Sequence, residues 1–175
     1  MTIKVGDTIP DVTLHVMGPD GPQAITTDEL FGDKVVAVFG VPGAFTPTCS
    51  NRHLPGYVER AAEIRAKGAD DIVCVSVNDA FVMGAWAKDQ DCGDAVTLVA
   101  DGSGVFARAA GLELDLTDLG LGVRCQRFAM IVDNGVVKDV EVEDDPTVAE
   151  KTGAEKLLER MADAYLNRGS AKTGL

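Results

Sequence analysis

The sequence predicts an α/β fold in which a central mixed β-sheet carries helices on both faces, with a hairpin at the N-terminus. Three observations lead there. Continuous apolar runs at 34–41, 71–77 and 95–100 read as strands buried on both faces. Stretches with helical periodicity separate these runs, the pattern of strands joined by crossover helices. A hairpin signal and a last amphipathic segment follow them. The 175 residues suffice for one domain with a full core. A single domain is expected over 1–167, with 168–175 as a flexible tail.

The elements follow in order. "DVTLHVM" (11–17) and "PQAIT" flank the turn signal "GPDG" and form the first hairpin. Thr26, with Glu29 three residues on, has the pattern of a capping box and opens a short helix through Leu30 and Phe31. "KVVAVFGV" (34–41) is the first buried strand, and a helix over about 47–67 follows. "DIVCVSV" (71–77) is the second. Asn78 or Asp79 then caps the helix "AFVMGAWAKDQ". "AVTLVA" (95–100) is the third, followed by a short helix at "SGVFARAAG". "RFAMIVDNGVVKDVEVE" (127–143) is a hairpin whose Asn134-Gly135 turn supplies positive φ. A closing helix over about 147–167 has Ala154, Leu157, Leu158, Met161 and Tyr165 at helical spacing. A thioredoxin-like fold fits this order.

Composition excludes several functions. Sixteen basic against 28 acidic residues give a formal charge of −12. That argues against nucleic acid, whose binding needs cationic surface to displace counterions, and against anionic lipid. No apolar run is long enough to span a membrane. "MTIKVGDTIPDV" lacks the apolar core of a secretory signal, so a cytoplasmic location is expected. The four cysteines, Cys49, Cys74, Cys92 and Cys125, contain no Cys-x-x-Cys pair. Neither a zinc site nor a thioredoxin-type dithiol is expected, and reduced thiols are.

Cys49 stands apart from the other three. It follows a strand, a Pro42-Gly43 turn and a Thr46-Pro47 helix opening, with Thr as N-cap and Pro in the first helical position. Its thiol then lies in the first helical turn, where free backbone N–H groups and the helix dipole favour the nucleophilic thiolate. Pro55 removes the amide that would bond the carbonyl of Asn51, so a kink or a weak turn is expected before it. The alternative is a small buried hydrophobe after a turn. The convergence of cap, strand end and turn on one thiol favours the reactive reading.

"VPGAFTPTCSNRHLPGYV" (41–58) resembles the active-site segment of peroxiredoxins, above all the peroxiredoxin 5-like, or type II, subfamily. "VCVSVNDAFVMGAW" and "GVRCQRFAMIVDNGVV" resemble two further stretches of it, and the resemblance runs from about Ile3 to Glu143. It implies a thiol-dependent peroxidase without metal or flavin, acting on hydrogen peroxide and alkyl hydroperoxides in antioxidant defence and redox homeostasis. Cys49 matches the peroxidatic cysteine, which becomes a sulfenic acid. Thr46 matches the hydroxyl that bonds thiolate and peroxide, Pro42 the proline that shields the thiolate, and Arg127 the arginine that reaches the cysteine from the sheet. The chemistry agrees, because displacement at oxygen needs an ionised sulfur and donors where charge builds on the leaving oxygen.

The remaining residues carry competing readings. Arg124 differs in strand parity from Arg127 and is expected to support the site or lie on the surface. His53 falls four residues after Cys49, which leaves a Cys-His hydrolase as the rival enzyme. The resemblance places it beside the site instead. Cys74 reads as core, although its spacing from Cys49 matches a second, possible resolving, cysteine of many type II members. Cys92, in "KDQDCGD", is expected to be exposed. Some members carry a resolving cysteine after the last strand, and this chain has none there. A one-cysteine cycle is therefore expected, recycled by glutathione, glutaredoxin or thioredoxin. A homodimer is expected by analogy, with Phe45, Phe81 and Trp86 as an aromatic patch. A noncatalytic thiol sensor is the remaining alternative.

Overall fold

A computed structural model describes residues 1–161. The end of the expected closing helix, with Tyr165, and the 168–175 tail lie outside the described residues. Seven strands form one sheet: β1 (Thr13–Gly18), β2 (Gly21–Thr26), β3 (Val35–Val41), β4 (Asp71–Ser76), β5 (Thr97–Ala100), β8 (Phe128–Asp133) and β9 (Val136–Val142), in the order β2-β1-β5-β4-β3-β8-β9. The three apolar runs are its parallel centre, β3-β4-β5. The antiparallel hairpins β1-β2 and β8-β9 complete the two edges. Asn134 and Gly135 turn the second hairpin with φ of 48° and 77°. The mixed, doubly covered sheet is the thioredoxin-like architecture expected. Not expected from the sequence is a separate two-stranded ribbon, β6 (Glu113–Leu116) with β7 (Gly122–Cys125). Its four-residue strands are partly exposed and lack an apolar run.

Strand alternation divides the core. Along β3, Val35, Ala37, Phe39 and Val41 face one cluster, while Val36 and Val38 face the other. The first cluster lies under α2 (Leu54–Glu59), α3 (Ala61–Ala66), α4 (Ala80–Asp89) and the terminal helix at 154–161. The second lies under α1 (Thr27–Phe31) and α5 (Val105–Ala109). Gly40 is required by close approach: a Cβ there would meet the Phe128 ring at 2.0 Å.

Thr26 caps α1 as expected, its hydroxyl accepting from the Glu29 amide. The box is only half formed, because the Glu29 carboxylate accepts from that same hydroxyl instead of the Thr26 amide. Asp79, not Asn78, caps α4. Two helices differ from expectation. The helix expected over 47–67 is interrupted by a π turn at Cys49–His53 and breaks again at Arg60, between α2 and α3. The closing helix begins at 154 and not at 147. Before it, Asp145 accepts from the amide and hydroxyl of Thr147, and Glu143 from those of Thr152. Such bonds give the backbone an alternative to helix. Residues 143–153 thus form a strap from β9 to the terminal helix.

Candidate active site

The site lies where β3 ends. Pro42 and Gly43 are buried, and the chain turns through Phe45, which holds a φ of 65°. A bulky residue is rarely found in that region. Asn78, after β4, fixes the loop: its side-chain oxygen accepts from the Ala44 amide at 3.0 Å and from the Ser76 hydroxyl at 2.6 Å. The sequence suggests Asn78 only as a possible cap. Its tie to the loop depends on adjacent parallel strands bringing 44 and 78 together.

The helix starts at Pro47, which makes Cys49 its third residue as expected. The Thr46 hydroxyl does not donate to the sulfur. It donates to the Gly43 carbonyl at 2.6 Å and closes the turn, with its lone pairs left to accept. The expected weak point before Pro55 takes the form of the π turn, in which the Leu54 amide bonds the Cys49 carbonyl. Pro55 offers the carbonyl of Asn51 no amide, and the widened turn falls on that stretch. Trp86 pins the outside of the turn by donating to the Ser50 hydroxyl at 3.0 Å.

Cys49 is fully buried. Arg127, in the gap between β7 and β8, reaches it from the sheet and is itself buried. Its Nη2 donates to Cys49 Sγ at 3.1 Å, its Nη1 to His53 Nδ1 at 2.8 Å, and its Nε to the Pro146 carbonyl at 3.0 Å. A guanidinium only donates, so Nδ1 must accept and Nε2 must carry the imidazole proton. That proton goes to the Thr152 carbonyl, 3.0 Å away, which Tyr57 Oη also bonds at 2.7 Å. Burial, and then the Arg127 charge, push the His53 pKa down to about 3, so the ring is neutral. The Phe39 ring lies 4.8 Å from the His53 ring and stacks on Tyr57 at 3.9 Å.

This arrangement removes the hydrolase alternative. A Cys-His dyad needs imidazole bonded to the thiol, and both His53 nitrogens are engaged elsewhere. Arg124 is on β7, so the parity comparison with Arg127 does not apply. Its Nη1 points at the Pro42 carbonyl, 3.5 Å away, and its Nε bonds the Leu121 carbonyl at 2.8 Å.

The other cysteines are all unpaired and buried. Cys74 is at the centre of β4, paired in register with Phe39 and Leu98, and burial holds its thiol pKa well above the ordinary value. Cys92 is buried, contrary to expectation, and burial raises its pKa to about 11. Its polar neighbours in sequence lie on a turn, while Cys92 itself joins the core cluster that also holds Val96 and the α4 residues Met83 and Trp86. Burial also raises the Cys125 thiol. Trp86 is buried under its bond to Ser50 and drops out of the expected aromatic patch. Phe45 and Phe81 remain 52% and 67% exposed. The strap residues Glu143, Pro146 and Thr152 carry no signal in the sequence, since Pro146 and Thr152 meet the site through backbone carbonyls and Glu143 acts through a contact with Thr152 that only the folded strap creates. Among the described residues no cluster of His, Cys, Asp or Glu is arranged to hold a metal ion.

Chemically, the site is a fully buried thiol with one cationic donor on its sulfur. A profile of the redoxin family matches residues 4–158. The chain is 52% identical over 148 residues to the rice protein peroxiredoxin-2E-2, chloroplastic, an alignment covering 82% of this chain and 66% of that one. It is 47% identical over 160 residues to rice peroxiredoxin-2C, covering 91% of this chain and 98% of that one. Thus it spans less than two thirds of the first relative and nearly all of the second. Among solved structures, reduced Prx3 from Vibrio vulnificus in complex with hydrogen peroxide superposes with a TM-score of 0.86 at 46% identity, covering 91% and 99% of the two chains.

Proposed function

The chain belongs to the redoxin family and within it to the peroxiredoxins, which are thiol-dependent peroxidases, and from that premise we propose that it reduces hydroperoxides at Cys49. Its features fit the type II, peroxiredoxin 5-like, branch. The observation that carries the proposal is the Arg127 guanidinium on a buried Cys49 sulfur. The Cys49 thiolate attacks one peroxide oxygen. An S–O bond forms, the O–O bond breaks, and the second oxygen leaves as alkoxide or hydroxide and takes a proton. Arg127 supplies positive charge where the leaving oxygen becomes negative, an electrostatic contribution that is large in a site closed to water. Thr46, its hydrogen committed to Gly43, orients the peroxide by accepting, and Pro42 keeps water from the sulfur. That one relative was crystallised with hydrogen peroxide supports this substrate class.

The sulfenic acid is then reduced by external thiols. One thiol displaces water to give a mixed disulfide, and a second releases Cys49 and carries off the disulfide. Glutathione, directly or through glutaredoxin, suits this one-cysteine cycle better than a resolving Cys74. The three other cysteines are buried, and bridging two core sulfurs demands backbone movement. The unpaired cysteines also favour a reducing, cytoplasmic setting. A homodimer through the exposed Phe45 and Phe81 remains part of the proposal. The test is to mix reduced protein with stoichiometric hydrogen peroxide and map thiol loss. Fast loss confined to Cys49 is expected. Slow loss spread over four thiols would leave only the noncatalytic sensor.

A further inference from the structure

Arg127 must hold its guanidinium on a sulfur that lies on a different element, and three contacts fix it. One is Cys49 itself. The other two are the Pro146 carbonyl, which is part of the strap, and His53, which the strap's Thr152 carbonyl holds from behind. The strap meets the π turn once more, where the Thr48 hydroxyl donates to the Thr147 carbonyl at 2.8 Å. Three strap carbonyls therefore receive active-site side chains, and a loop of turns has little regular structure to hold it in place.

What holds it is Glu143. This buried carboxylate accepts from the Thr152 amide at 2.9 Å and from the Thr152 hydroxyl at 2.7 Å, both on Oε2. The backbone amide of Glu143 donates to the Arg127 carbonyl at 2.9 Å. One residue thus ties the main chain of Arg127 to the far end of the strap whose carbonyls aim the Arg127 side chain. Arg160 adds a bond from the terminal helix to the Lys151 carbonyl, 2.7 Å.

We propose that the buried Glu143–Thr152 pair is a positioning device for peroxide reduction, closing the strap at 143–153 so that Pro146 and His53 set the Arg127 guanidinium on Cys49. Neither residue touches the reacting atoms. They act through Arg127, and the inference rests on the peroxidase reading above. The role asks for an acceptor oxygen at 143, not for a charge, which separates Glu143→Gln from Glu143→Met. Gln keeps an oxygen for the Thr152 amide and hydroxyl. Met fills similar space and accepts nothing useful.

The experiment is single-turnover reaction of reduced, folded protein with hydrogen peroxide, in a double-mutant cycle with Arg127→Gln. Glu143→Met is expected to slow the reaction about ten- to a hundredfold, the cost of a misplaced catalytic group. Glu143→Gln is expected to stay within about threefold of wild type. In the Arg127→Gln background Glu143→Met should cost less than about twofold, because the group it positions is gone. If Glu143→Met does not fold, Thr152→Val against Thr152→Ser makes the same comparison from the other side of the bond. Wild-type speed in folded Glu143→Met or Thr152→Val overturns the inference. So does an equal loss with and without Arg127, or an equal loss in the conservative and apolar variants. A wild-type Cys49 that ignores peroxide would remove the peroxidase reading itself, so the two failures are distinguishable.

Discussion

Cys49 and Cys74 are buried in the same core cluster on the same face of the sheet, and their surroundings could hardly differ more. Cys74 sits mid-strand with ladders on both sides, and burial above all drives its thiol pKa well up. Cys49 has a guanidinium at 3.1 Å and rides on a π turn next to a proline. The difference teaches that burial does not decide what a thiol does. A charge partner decides whether the sulfur can work where it lies, and the backbone beneath it decides whether it can leave. Exposing Cys74 means opening the centre of a seven-stranded sheet, whereas exposing Cys49 means opening one helical turn.

The sharpest way to break this comparison is to exchange each sulfur for oxygen. Cys49→Ser should abolish peroxide reduction and leave the fold intact, since the change is nearly isosteric. Cys74→Ser should lose about 1–3 kcal/mol of stability, from a hydroxyl placed in an apolar strand. It should still turn over with glutathione or glutaredoxin. Denaturant melts and steady-state peroxidase assays read both. A folded Cys74→Ser protein that turns over with no reductant would return Cys74 to the cycle.

Much of this contrast is legible in the amino-acid sequence. The apolar runs locate β3, β4 and β5, because a strand buried on both faces must be apolar throughout. The thiol's place comes from Thr46-Pro47 and from Pro42-Gly43, local signals that need no distant partner. The trouble at Pro55 is legible too, but its form as a π turn is not, since many distortions relieve a missing amide. Cys92 misleads because the polarity of its neighbours says nothing about which way one side chain in a turn points. The long closing helix misleads because helical periodicity at 154–161 carries no mark of where Glu143 and Asp145 divert the backbone. Least legible is the strap. Its contribution comes from the carbonyls of Pro146, Thr147 and Thr152, and a carbonyl has no letter in the sequence.

A second prediction concerns His53, which belongs to the Cys49 side of the comparison alone. Its pKa falls from 6.5 to about 3 on folding. The unfolded chain therefore binds the extra proton between those values and the native state does not. His53 thus contributes stability that is fully present above about pH 6.5 and is lost as pH falls toward 3, with a slope of at most about 1.4 kcal/mol per pH unit. His53→Gln, which keeps an acceptor for Arg127 and a donor for Thr152, should flatten the decline in stability between pH 6 and 4. Chemical denaturation across that range measures it. An unchanged slope would mean that His53 is protonated in the native site, contrary to its acceptor role toward Arg127.

The smallest effect expected is also the one that sharpens the comparison furthest. If Cys49 differs from Cys74 in the cost of opening, that cost should be adjustable one bond at a time. Thr48 ties the π turn to the strap through a single hydroxyl, and Val has the same shape without it. One such bond contributes about 0.5–1.5 kcal/mol net, so Thr48→Val should raise the population of the opened turn about two- to tenfold. In the proposed cycle, peroxide meets Arg127 and Thr46 only in the closed turn, while a bulky thiol reaches the sulfenate only in the opened one. The substitution should therefore leave peroxide reduction nearly unchanged and speed the reductant step by a similar few-fold factor. Amide hydrogen exchange over residues 46–56 reads the opening directly. In wild type, protection should be lower in a Cys49–glutathione adduct than in the reduced protein, because a fully buried sulfur must be exposed to carry the adduct. Thr48→Val should lower protection already in the reduced form, while β4 around Cys74 stays as slow as before. Equal protection of reduced protein and adduct, with normal turnover, would mean that the reductant reaches Cys49 without unfolding. The contrast between the two thiols would then rest on Arg127 alone.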